Sequence, residues 1–140
     1  MEIRREELER SCERLGVRLL VLFGSHSPGG LPPGPGSDVD LALSFGRDAS
    51  RVPVLDLHEQ LAPAFPGGQL DIVLLHDADP LFRWEIMERA TLLYGDVDEF
   101  LEYRAFAYRD FMDSADLRAL ERTLSDRKMK RIRERLRAAS

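Results

Sequence analysis

The sequence predicts an α/β fold: a small sheet flanked by helices, with a helical C-terminal extension. Three observations point there. Short apolar runs at 17–23, 38–45 and 70–75 read as strands, the first of them bounded by glycines as buried strands are. Segments between and before them carry apolar residues at helical spacing. Beyond residue 80 only helical periodicity continues. Strands interleaved with helices and followed by helices alone give a sheet layer covered by helices.

In chain order, residues 2–15 place Ile3, Leu8, Cys12 and Leu15 at helical spacing, and Gly16 ends the run. Residues 17–23 (VRLLVLF) form the first expected strand. The stretch SHSPGGLPPGPGS that follows is too rich in Gly and Pro for anything but a loop. Residues 38–45 (DVDLALSF) resume a strand, with Val39, Leu41 and Leu43 alternating with Asp38, Asp40 and Ala42. Residues 53–64 read as a helix stopped by Pro-Gly-Gly, and 70–75 (LDIVLL) as a third strand. Asp79-Pro80 is a cap followed by a first-turn proline. A helix is expected from there to Gly95, a second over Asp96–Asp113 and a terminal one over 114–137.

Length and composition narrow the functional classes. A chain of 140 residues fits a single domain, with a catalytic α/β core over 1–79 and a helical part with a basic tail over 80–140. One cysteine, Cys12, allows no internal disulfide and reads as a bystander in a charged helix. No signal-like or membrane-spanning apolar run is present, so the expected location is cytoplasmic, with no membrane partner. The net charge of −5 is uneven: residues 1–117 carry 11 Lys/Arg against 22 Asp/Glu, and residues 118–140 carry 9 against 3. The basic tail raises the question of DNA binding, but it contains no recognisable recognition-helix unit.

The chemistry concentrates at strand ends. Asp38 and Asp40 lie two apart on a strand, so both point to one face with Cα atoms about 6.5–7 Å apart. Carboxylates so placed can converge on two hard cations roughly 3.5–4 Å apart. Gly24-Ser25 follows an apolar strand directly, where a turn presents backbone N–H groups to an anion. Gly24 permits close approach to a phosphate, and the Ser25 hydroxyl can donate to one. Asp71, near the start of the third strand, supplies a third carboxylate if that strand pairs with the second. Three carboxylates and a phosphate-binding turn are the parts of two-metal phosphoryl transfer.

The pattern LFGS, then twelve residues, then DVDLAL, and later LDIVLL resembles the polymerase-beta-type nucleotidyltransferase superfamily. Residue by residue, the resemblance implies a triphosphate held at Gly24 and Ser25, with His26 beside them. It implies two Mg²⁺ ions on Asp38 and Asp40, and Asp71 at the catalytic metal and as base. The small size and the stretch PLFRWEIMERATLLYGDVDEFLEYRAFAYRDF further resemble minimal nucleotidyltransferases encoded beside HEPN-domain proteins, over roughly residues 15–111. That resemblance implies an antitoxin that binds a HEPN ribonuclease toxin and transfers AMP from ATP to one of its tyrosines.

Two features depart from the family pattern. The stretch between Ser25 and Asp38 is long and filled by PGGLPPGPG. His26, Ser27 and Pro28 stand where the family commonly has arginines. Two alternatives therefore accompany the expectation: transfer to a small-molecule hydroxyl such as an aminoglycoside, and a catalytically degenerate antitoxin acting by binding alone. Of the remaining groups, His58 and His76 read as structural, Asp79 as a helix cap, and Arg83 and Arg89 as surface arginines or phosphate contacts.

Overall fold

The structure is a computed structural model that describes residues 2–24, 38–46 and 53–139. Among them are the helices α1 (Arg5–Leu15), α2 (Val54–Leu61), α3 (Pro80–Glu88) and α4 (Val97–Ala138), and the strands β1 (Leu19–Phe23), β2 (Asp38–Ser44), β3 (Gln69–Leu74) and β4 (Thr91–Tyr94). The sheet has the order β3-β2-β1-β4. β1 runs antiparallel to both β2 and β4, while β2 and β3 are parallel and joined through α2. A parallel pair needs such a crossover, because a tight turn cannot reverse the chain twice.

Alternation along the strands divides the core into two layers. Leu20 and Leu22 of β1 and Val39, Leu41 and Leu43 of β2 pack with Leu8, Cys12, Leu57 and Leu61 of α1 and α2. Leu19 and Val21 of β1 and Ala42 of β2 pack on the other face with Ile86 and Met87 of α3 and Phe100 and Ala107 of α4. Each fully buried leucine contributes about 1.5–3 kcal/mol relative to an exposed one. The Ser11 hydroxyl donates to the Gln60 carbonyl at 2.9 Å, tying α1 to the end of α2.

The C-terminal third differs from the sequence reading in two places. The helix expected up to Gly95 stops at Glu88, and Thr91–Tyr94 is an edge strand paired with β1. The segment Thr-Leu-Leu-Tyr has residues that fit a pleated surface, and pairing with β1 outweighs its helical spacing. The sheet therefore extends beyond the 1–79 core into the part expected to be helical. The two expected terminal helices are one helix of 42 residues, since nothing between Asp96 and Ala138 breaks it: the segment contains neither Gly nor Pro.

Buried polar groups at the α3/α4 junction are satisfied. Arg83 donates to the Leu75 and Ala78 carbonyls at 3.0 and 2.8 Å and to the Asp110 carboxylate at 3.0 Å. Arg104 donates to the Met87 and Ala90 carbonyls at 3.0 and 3.2 Å, closing the C-terminal end of α3. Asp79 caps α3 by accepting from the Phe82 N–H at 2.8 Å, as its place before Pro80 implies.

Candidate functional site

The site is built where β1 ends and β2 begins. Antiparallel register puts Phe23 opposite Asp40, so the turn after β1 meets the first residues of β2. Gly24, at φ 75°, turns the chain in the left-handed region that favours glycine. A Cβ added there would collide with the Asp40 carboxylate, so the backbone of the turn lies directly against that side chain.

Parallel register places Asp40 beside Asp71 and Asp38 beside Gln69. Neighbouring strands lie about 4.8 Å apart, and register partners share a face. Asp38, Asp40 and Asp71 therefore stand on one face, the one covered farther along by Ala42, Val21 and Val73 in the α3/α4 layer. Asp38 and Asp71 are exposed and Asp40 is half-buried. Neither Asp38 nor Asp71 has an ion pair among the described residues.

Like charges side by side on adjacent strands are destabilising unless a counter-charge sits between them. The donors are hard oxygens, which suit Mg²⁺ or Mn²⁺, so the residues present fit a divalent cation. Among the described residues, no three ligating side chains are already gathered around one point.

The sequence-derived site is brought together as far as it is described: Gly24, Asp38, Asp40 and Asp71 converge at one sheet end. Ser25 and His26 lie outside the described residues. Three other groups are placed elsewhere. Arg83, with a side chain only 12% exposed, is committed to Asp110 and two carbonyls rather than to a phosphate. His76 is 3.3 Å from Asp77 beyond the end of β3. Cys12 is buried in the α1 layer, where desolvation pushes its thiol up to about 12.

One feature of the site escaped sequence reasoning. Phe23, on the carboxylate face, meets Phe82 of α3 edge-on, with centroids 6.4 Å apart. A partly exposed aromatic pair therefore borders Asp40. Phe23 was legible as the last strand residue, but its partner comes from 59 positions downstream, beyond the reach of any local pattern.

Comparison with known proteins fits this geometry. Residues 6–99 match the family model described as polymerase beta, nucleotidyltransferase. The chain belongs to this family. Solved structures share the fold at low identity. A chain of a toxin–antitoxin structure with AMP-PNP is 19% identical, with a TM-score of 0.68, covering 91% of this chain and 99% of its own. A chain of the MntA-HepT toxin–antitoxin structure is 17% identical, with a TM-score of 0.61, covering 89% and 96%. A chain from the tri-AMPylated Shewanella oneidensis HEPN toxin in complex with MNT antitoxin is 19% identical, with a TM-score of 0.58, covering 90% and 99%. None of the curated proteins compared matches the chain. The polymerase-beta-like fold expected from the GS turn and the DxD strand is thus the fold observed.

Proposed function

We propose that this chain is a cytoplasmic antitoxin nucleotidyltransferase that transfers AMP from ATP to a tyrosine hydroxyl of a HEPN ribonuclease toxin. The observation that carries the reading is the register pair Asp40 and Asp71, with Asp38 two residues away and the Gly24 turn pressed against Asp40. Family membership supports nucleotidyl transfer as the reaction class. The acceptor is suggested by relatives whose structures are toxin–antitoxin complexes, one with its HEPN toxin AMPylated.

In this reading Asp38 and Asp40 would hold two Mg²⁺ ions, with Asp71 as a further carboxylate ligand. Bound there, the ions supply positive charge to the triphosphate and lower the pKa of the attacking hydroxyl. The Gly24 turn sets the backbone against the Asp40 carboxylate, with Ser25 and His26 as the next groups in line for the triphosphate. The tyrosine oxygen attacks the α-phosphorus, a new P–O bond forms, and the bond to the β-phosphate bridging oxygen breaks. Pyrophosphate leaves, and Asp71 accepts the tyrosine proton. The transferred AMP adds negative charge and bulk beside RNA-cleaving residues, which blocks them.

The test is incubation of the purified chain with labelled ATP, Mg²⁺ and the HEPN protein, followed by peptide mass spectrometry. The expected product is AMP on a tyrosine. Label on a small-molecule hydroxyl instead of the protein would move the acceptor to that class. An unmodified toxin that is nevertheless inhibited would leave binding alone as the function.

A further inference from the structure

α4 turns one stripe towards the body, and a second one runs along its flank, where Tyr108 meets Trp84 of α3 edge-on with ring centroids 5.1 Å apart. Phe100, Tyr103 and Ala107 pack on the sheet and α3. Leu101, Ala105, Tyr108, Met112, Ala115 and Ala119 follow one another at alternating spacings of four and three, on a different face. That alternation is a heptad seam of about 27 Å. Leu101 and Met112 stay in solvent, 50% and 49% exposed, and the Tyr108 ring is 47% exposed beyond its contact with Trp84. From residue 121 to 138 every side chain of α4 is exposed. Apolar side chains left on such a face gain stability when another surface covers them.

The seam is self-complementary when reversed on itself. About a centre at residue 110, Leu101 falls opposite Ala119, Ala105 opposite Ala115, and Tyr108 opposite Met112. Each large residue at the ends meets a small one, and small residues let helix backbones close up. The next layer outward pairs Asp98 with Arg122, both exposed and neither ion-paired among the described residues. Charge follows the same symmetry: residues 97–117 carry six Asp/Glu against two Arg, and residues 118–138 carry nine Lys/Arg against three Asp/Glu. Reversal therefore sets the acidic half of one helix against the basic half of the other. Beyond residue 124 the basic end passes the start of the opposing α4, where Glu9, Glu13, Asp96 and Glu99 border an open groove.

We propose that α4 pairs antiparallel with the α4 of a second copy of this chain through the Leu101–Ala119 seam. The interface is isologous, so each contact occurs twice about a two-fold axis. It involves none of the carboxylate site and stands whether or not the chain modifies a toxin.

Sedimentation equilibrium on the purified chain alone tests it. The expected species is a dimer of twice the 16.0 kDa chain mass. Met112→Glu should give a monomer with an unchanged circular dichroism spectrum. Asp98→Arg and Arg122→Asp should each raise the dissociation constant on the order of tenfold, and the two together should restore it. Restoration cannot come from helix-end effects, because both single changes lower helix stability near a terminus or an exposed face without reference to the other. A monomer at all concentrations, a dimer indifferent to Met112→Glu, or a double variant no better than the singles would overturn the proposal. So would a monomer in which Met112→Glu abolishes toxin binding, since the seam would then belong to that partner.

Discussion

The two faces of β2 differ in what their side chains are left to do. Val39, Leu41 and Leu43 are fully buried against α1 and α2, and their contribution ends with packing. Asp38 and Asp40, on the opposite face, sit at the sheet end, Asp40 bordered by Phe82 of α3 and beside a third carboxylate on β3. Alternation lets one seven-residue strand anchor the fold with one set of residues and present charge with the other. The difference also separates the two kinds of damage: substitutions on one face should cost stability, and on the other, chemistry.

The largest effect expected from this contrast is on transfer. Asp38→Asn together with Asp40→Asn should lower AMP transfer by at least about a thousandfold, since the carboxylates that would hold the Mg²⁺ opposing the triphosphate's charge are lost. Thermal unfolding should be unchanged or slightly raised, because Asn removes carboxylate repulsion without opening a cavity. A large loss of stability would erase the contrast. On the other face, Leu41→Ala should cost about 2–5 kcal/mol in denaturant unfolding, with transfer per folded molecule nearly intact at low temperature.

Gly24→Ala tests the boundary between the two. Positive φ and the collision with the Asp40 carboxylate both act on the new Cβ. The expected outcome is a loss of about 1 kcal/mol or more in stability and a disproportionate drop in kcat, because Asp40 is pushed off its position. If only stability fell, the turn would be structural rather than part of the site.

The smallest expected effect concerns Cys12. Its folded pKa, about 12, lies above its ordinary value of 9.0 because burial disfavours the thiolate. The folded state thus holds the proton more tightly than the unfolded state. The stability this provides is complete below pH 9.0 and is lost as pH rises towards 12. Unfolding free energy measured across that range should fall less steeply in Cys12→Ala than in the parent chain. Identical slopes would remove Cys12 from the alkaline behaviour.

How much of this was legible in the sequence follows the range of the interactions. The DxD alternation and the glycine after an apolar strand are local, so Asp38, Asp40 and Gly24 could be placed from spacing alone. Asp71 needed the guess that β3 pairs with β2, which the register bears out. β4 was missed because Leu92 and Leu93 continue a helical rhythm, and only β1 at the sheet edge selects the strand. The length of α4 was missed for the opposite reason: two shorter helices were expected where no residue interrupts one. Arg83 could not be assigned before its three acceptors, one of them 27 residues away, were known.

The most direct test of the account is a side-by-side measurement of ³²P-AMP transfer from ATP to the HEPN protein by the parent chain, Asp40→Asn and Asp71→Asn, each with Mg²⁺ and with chelator. The account requires transfer by the parent chain with Mg²⁺, none with chelator, and near-complete loss in both variants at unchanged thermal stability. Mg²⁺-dependent transfer that survives in either variant would contradict it, because the paired carboxylates of β2 and β3 would then not be where the chemistry occurs.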